Sequence, residues 1–302
     1  MSQNDFYIIL TASLVSVSCA LLGCFLILRR MAMVGDAISH AVLPGIVIAF
    51  LVTQSRDSLP MIAGAGIIGI FTTFLIEFFH RRARLQSDAA IGVTFTWLFA
   101  VGVILISVFA GKVDLDQDCV LYGEIAYVPL DLIFTPSGKI LAPKAILVGS
   151  VILILILIFI GFGYRKLYLT TFDPYFAGTL GVATGLWNYL LMGAVSVTTV
   201  ASFESVGAIL VVALLVAPAA TAYLLTDNFK WMLVFASIAG IFSSIEGYYL
   251  AKLTDGSISG AIATCGGIEF LLAMLFSPTH GIISKKIRRR NSALLTKQIT
   301  AV

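Results

Sequence analysis

Asp36 and His40 stand four residues apart in the stretch GDAISHAVLPG, Gly35 to Gly45, and an acid and an imidazole at that spacing can share one cation. On a helix, residues i and i+4 lie over the same patch of surface, so a carboxylate oxygen and a ring nitrogen reach a common point. Their neighbours are apolar, which puts both groups inside a predicted membrane span. Ionisable groups are costly there and face the protein interior or a wet cavity. Two readings fit this pair: transient ligation of a metal ion, or a mutual hydrogen bond that only ties helices together.

The remaining candidates carry less chemistry. Glu77 and His80 have helical spacing too, at i, i+3, but they run straight into Arg81 and Arg82, which would repel a cation. That group reads as a solvated, salt-bridged cluster at the end of a span. His280, in SPTHG, reads as a loop histidine. Glu204, Glu246 and Glu269 lie within spans or near their ends with no histidine at helical spacing, and are secondary candidates for lining a path. The run DLDQD, Asp114 to Asp118, resembles the start of a calcium loop but has Cys119 where such a loop needs Gly and Ile125 where it needs Glu. Cys19, Cys24, Cys119 and Cys265 form no CxxC pair and read as small apolar residues, not a disulfide or zinc framework. There is no G-x-x-x-x-G-K-[ST] phosphate loop and no H-E-x-x-H, so neither ATP hydrolysis by this chain nor zinc-dependent catalysis is supported.

The elements that must position these groups are membrane helices. Of 302 residues, 59% are hydrophobic and 12% charged, and mean hydropathy is +1.02, which marks a polytopic integral membrane protein of all-α class. Apolar runs long enough to cross a bilayer lie near residues 7–28, 32–53, 60–79, 90–110, 145–163, 185–202, 206–226, 230–251 and 257–277. The count is nine, or eight if VTTVASFESVGAIL turns back as a short re-entrant helix. The first run is too long for a signal-peptide core and reads as a retained span. With the N-terminus outside, 14 of the 19 Lys and Arg residues fall in inner segments, and Arg56, Lys112, Lys139, Lys144 and Lys252 fall outside. The net charge of +3 is spread in short clusters between spans, a pattern of topology and not of nucleic-acid binding.

Two connections are longer than turns. The outer one, 111–145, carries Asp114, Asp116, Asp118, Glu124 and Asp131 and is long enough to dock a partner. The inner one, 164–184, mixes aromatic residues with Asp173-Pro174, a helix-start signal, and can form a short helix along the inner face with Phe172 and Tyr175 as anchors. No segment is long and polar enough for a soluble domain, so residues 1–302 read as one transmembrane domain.

Four blocks together resemble a known family. LLGCFLILRRMAMVGDAISHAVLPGIVIAF, DLDQDCVLYGEI, TTFDPYFAGTLGV and VGAILVVALLVAPAATAYLL, in this order, are similar to the permease subunits of bacterial ABC importers for manganese, zinc or iron. The resemblance implies a multi-pass protein of the bacterial cytoplasmic membrane that works with a second permease subunit, ATPase subunits and an extracytoplasmic metal-binding protein. It implies no permanently bound cofactor, a divalent metal ion as cargo, and Asp36 and His40 as contributors to the metal path. Mixed oxygen and nitrogen ligation suits all three metals alike. The competing reading is a secondary transporter driven by an ion gradient, with Asp36 as the ion carrier; paired discontinuous helices in two related halves, its usual mark, are absent from the sequence. A membrane metalloenzyme would need more histidines.

Overall fold

The computed structural model describes residues 3–54, 58–110, 125–134, 140–278 and 281–282. The acids Asp114, Asp116, Asp118 and Glu124, together with Arg56, Cys119, His280 and the basic tail from Lys285, lie outside the described residues.

Helices account for nearly all of the described chain: α1 (Gln3–Leu28), α2 (Val34–Ala41), α3 (Leu43–Thr53), α4 (Ser58–Arg82), α5 (Ser87–Leu105), α6 (Lys144–Phe172), α7 (Pro174–Thr179), α8 (Thr184–Val206), α9 (Ala208–Leu225), α10 (Phe229–Thr254) and α11 (Ile258–Phe276). A two-stranded antiparallel ribbon, β1 (Leu132–Phe134) and β2 (Ile140–Pro143), interrupts them before α6. Counting α2 with α3 and extending α5 to Phe109, nine stretches among the described residues are long and apolar enough to cross a membrane. Backbone polar groups cannot be left unpaired in lipid, which is why spans this apolar fold as helices.

The eight-or-nine question is decided at Gly207. Helices α8 and α9 are separated by that residue alone, with Gly207 at φ 82°, ψ 158°, a conformation that costs glycine little and a side chain much. Each of the two helices is long enough to span, so VTTVASFESVGAIL is a one-residue corner and not a re-entrant helix. The span expected at 145–163 is also longer than its apolar run: α6 continues as one helix to Phe172, 29 residues or about 44 Å. Arg165 and Lys166 do not end it, because a helix leaving the lipid keeps its internal hydrogen bonds in water. What ends it is Asp173-Pro174, since the residue before a proline is driven out of the α region.

Helix α1 is the centre of the bundle, packed on α6, α8, α9 and α10. Its fully buried residues are mostly small, Ala12, Ser16, Cys19, Ala20 and Cys24, with Leu22 and Phe25 completing the core. Small side chains let helices approach closely where lipid supplies no hydrophobic drive to bring them together. A second group, α2, α3, α4 and α5, packs alongside, with α8 against α4 joining the two. Gly45 and Gly64 make the α3–α4 crossing so close that a Cβ on either would strike the other's carbonyl.

Candidate functional site

The expected single span 32–53 is bent in the middle. Pro44 follows His40 by four residues and has no N–H to give to the His40 carbonyl, so regular pairing fails and the chain restarts as α3 after Val42. Gly45 N–H and Ile46 N–H both donate to the Val42 carbonyl, at 2.9 and 3.2 Å, which marks the tight turn at the bend. The signal for it, Pro44-Gly45, is plain in the sequence beside the candidate site. Helix α2 is therefore a short piece, divided from α3 at Val42, carrying Asp36 in its first turn and His40 in its last.

The spacing argument holds: His40 Nε2 lies 3.7 Å from Asp36 Oδ1 on one face of α2. That separation exceeds a hydrogen bond, and the two groups share a helix, so they do not tie one helix to another. Their side chains are 42% and 37% exposed, within a stretch of membrane-span length. The imidazole stands between two rings of α5, Phe95 and Phe99, with centroids 6.0 Å away in each case and Phe99 nearly edge-on. Ser39 Oγ donates to the Asp36 carbonyl at 2.6 Å, keeping that hydroxyl away from the carboxylate. Among the described residues no group of three or more His, Cys, Asp or Glu side chains converges as a metal site. The pair as it stands offers two donors and room for others.

The Glu77 group differs from the solvated cluster expected of it. Glu77 is buried, 1% exposed, and accepts from Arg81 Nε and from Asn188 Nδ2, the latter at 3.2 Å. Asn188 in turn accepts from the Arg29 guanidinium, which also donates to Thr171 Oγ1 and Thr170 Oγ1, each at 3.0 Å. Burial draws the Arg29 guanidinium down to about 10, Glu77 opposing the shift and Arg81 reinforcing it, so the group is still charged at neutral pH. His80 belongs to none of this: it is exposed, its Nδ1 2.9 Å from the Leu85 carbonyl. Sequence reasoning missed Arg29, Asn188, Thr170 and Thr171 because their partners are far away in the chain and no spacing rule connects them.

The secondary candidates separate. Glu204 is ion-paired with Lys144 at 2.7 Å, and both line a cavity of about 400 Å³ with Asp131, Tyr127 and Ser205 at the end of the bundle opposite the arginines. Glu269, in α11, accepts from Ser243 of α10 at 3.0 Å, while Glu246 is exposed on α10. None of the three faces Asp36 or His40 in a shared cluster.

At the arginine end, Asp173 caps α7, accepting from Phe176 N–H at 2.9 Å with Pro174 as the first helical residue, as the sequence signal predicts. Tyr175 is 89% exposed and Phe176 50%. Phe172, expected to be an anchor beside Tyr175, is 52% exposed, with one side of its ring against Tyr168 at a centroid distance of 4.7 Å and edge-on to Phe229 at 5.9 Å.

A bundle of membrane-length helices with a half-exposed acid–imidazole pair on a bent span has the layout of a transport protein. The chain belongs to the ABC 3 transport family, whose profile matches residues 3–277. It is 48% identical to the manganese transport system membrane protein MntD of Bacillus subtilis, over 95% of this chain and 97% of that one. It is 44% identical to the zinc transport system membrane protein TroD of Treponema pallidum, over 92% of this chain and 75% of the relative. Among solved structures it matches PsaBC from Streptococcus pneumoniae in complex with Fab, with a TM-score of 0.74, 29% identity and coverage of 95% and 96% of the two chains.

Proposed function

We propose that this chain is the transmembrane permease subunit of an ATP-driven importer of a divalent transition metal ion, manganese, zinc or iron, and that two permease subunits enclose the path. The observation that carries the reading is the Asp36–His40 pair: two metal-ligating groups within a membrane span, half exposed and not hydrogen-bonded to each other. In a dimer, a second pair would add a carboxylate and an imidazole, giving mixed oxygen and nitrogen ligation suited to all three metals. The relatives named for manganese and zinc transport support this cargo. Membership of an ABC family sets aside the gradient-driven alternative and the metalloenzyme.

The metal is cargo, and no cofactor is held permanently. With no phosphate loop of its own, the chain takes its energy from a separate ATPase subunit that docks on the inner segment 164–184, chiefly through Tyr175 and Phe176. An extracytoplasmic metal-binding protein delivers the ion to the opposite face, where residues 125–134 and 140–145 lie. Residues 1–302 form one permease domain in the bacterial cytoplasmic membrane, with the arginine end inside. That orientation rests on the bias of Lys and Arg toward the inner segments; of the lysines expected outside, Lys144 pairs with Glu204 and Lys252 with Asp5 at 3.2 Å.

The test is uptake of radioactive manganese, zinc or iron into vesicles holding the assembled importer, with ATP and binding protein supplied. Asp36→Asn preserves shape but removes the charge, and His40→Ala removes the nitrogen donor. Both should assemble normally and lose uptake by about 100-fold, the upper end of what disturbing a metal site costs. Near-normal uptake by well-assembled Asp36→Asn would remove the ligand role.

A further inference from the structure

We propose that Arg29 is a positioning residue that couples the docking helix α7 to the metal helix α2. The inference rests on the docking and metal roles proposed above.

Helix α7 hangs between two roots, the last turn of α6 and the first turns of α8. Arg29 holds both of them. Two of its nitrogens bond Thr170 and Thr171 on α6, and a third bonds Asn188 on α8. The roots are also pinned to each other, since the Lys166 ammonium of α6 sits 5.3 Å over the Trp187 ring of α8 and Phe159 stacks on the same ring at 6.2 Å. A push on α7 therefore moves a braced hairpin, and Arg29 moves with it.

The connection from Arg29 onward has little slack. Helix α1 ends in a Schellman motif: Met31 N–H reaches back to the Leu26 carbonyl at 2.9 Å and Arg30 N–H to the Ile27 carbonyl at 3.0 Å. Arg30 takes the left-handed conformation this requires, at φ 59°, and Met31 is buried. Val34 N–H then bonds the Met31 carbonyl at 3.2 Å, and α2 begins. Six residues separate Arg29 from Asp36, and this chain of backbone bonds runs between them. Because Pro44 breaks α2 from α3, α2 can tilt without dragging the rest of its span. Glu77 of α4, which also accepts from Arg81, accepts from Asn188 and so ties the same hairpin to a third helix.

A guanidinium is suited to this task, with five donors in a rigid fork. Arg29→Gln cannot reach three partners, whereas Arg29→Lys keeps the charge and some of the donors. In vesicles holding the full importer, Arg29→Gln should keep hydrolysing ATP but carry at least tenfold less metal per ATP, and Arg29→Lys should recover a good part of the ratio. Spin labels at Met33 and Thr179 give a readout that needs no metal. Their separation should stay constant on ATP binding in the otherwise unaltered importer and should change or broaden in Arg29→Gln, because α7 then moves alone. Should Arg29→Gln assemble poorly, Asn188→Ala leaves Arg29 in place, removes its hold on α8, and should lower the ratio in the same direction by a smaller factor. The proposal is overturned by a metal-to-ATP ratio within twofold of the unaltered importer, or by a loss fully accounted for by reduced assembly with the label separation unaffected. Failure of the underlying readings looks different: an importer that carries no metal even unaltered loses the cargo assignment, and a Tyr175→Asp importer with unchanged ATP-driven transport loses the docking assignment.

Discussion

Asp36–His40 and Arg29–Asn188–Glu77–Arg81 are both clusters of ionisable and amide groups in an apolar protein, yet they are built in opposite ways. The first lies on one short helix, is half exposed, and leaves its two members 3.7 Å apart without a hydrogen bond. The second is drawn from three separate parts of the chain, has a carboxylate buried to 1% exposure, and each of its members is hydrogen-bonded. A transit site must take an ion and give it up, so its ligands cannot already be satisfied by the protein. A brace must do the reverse: a partly satisfied buried network costs more than an apolar one.

The contrast breaks down first, and most visibly, at Glu77. Glu77→Ala leaves the Arg81 guanidinium and Asn188 without their common acceptor, which should lower stability by about 3–5 kcal/mol. Thermal unfolding of the purified protein in detergent is the measurement, and a shift no larger than that of a surface substitution would show that the network does not brace the bundle. The Asp36–His40 pair, proposed as the transit site, sharpens the comparison with the reverse pattern. Asp36→Asn should change thermal stability by less than about 0.5 kcal/mol, as expected for a side chain with no buried partner to abandon, while abolishing most uptake. A large loss of stability with proportionate loss of uptake would make the pair structural.

Tyr175→Asp tests the surface that the brace serves. With its ring almost fully exposed, the substitution should leave the melting temperature unchanged and reduce copurification of the ATPase, or its transport-linked hydrolysis, by about tenfold, the cost of one well-packed aromatic anchor. Phe172→Asp should differ by destabilising the permease itself, since that ring packs on Tyr168 and Phe229. The smallest effect is expected at Lys252, 59% exposed and paired with Asp5: Lys252→Ala should cost under about 1 kcal/mol and less still at high salt.

Local rules explain which of these clusters was legible. The Asp36–His40 pair could be read because helical spacing alone brings i and i+4 together, and both residues lie within the one helix α2. For Glu77 the same local rule was right about the salt bridge to Arg81 and wrong about solvation, since the carboxylate is buried. Glu77 turns toward Arg81 and, across 111 residues of sequence, toward Asn188, while His80 turns outward. Phe172 was legible in part: its ring is 52% exposed, as an anchor needs, but the contact of its other side with Phe229 comes from a helix far along the chain.

What the sequence determined by itself was the set of membrane helices and their punctuation. Spans follow from apolar length, because lipid forces every backbone group to bond within its own helix, and Asp173-Pro174 and Pro44 act on residues within one turn of themselves. The tertiary structure alone decided which polar groups are satisfied. Lipid is as apolar as leucine and so does not sort helix faces the way water sorts a soluble core. Which side of α4 or α8 is buried depends on close packing of small residues and on polar partners supplied by other helices, and neither is written into the local pattern.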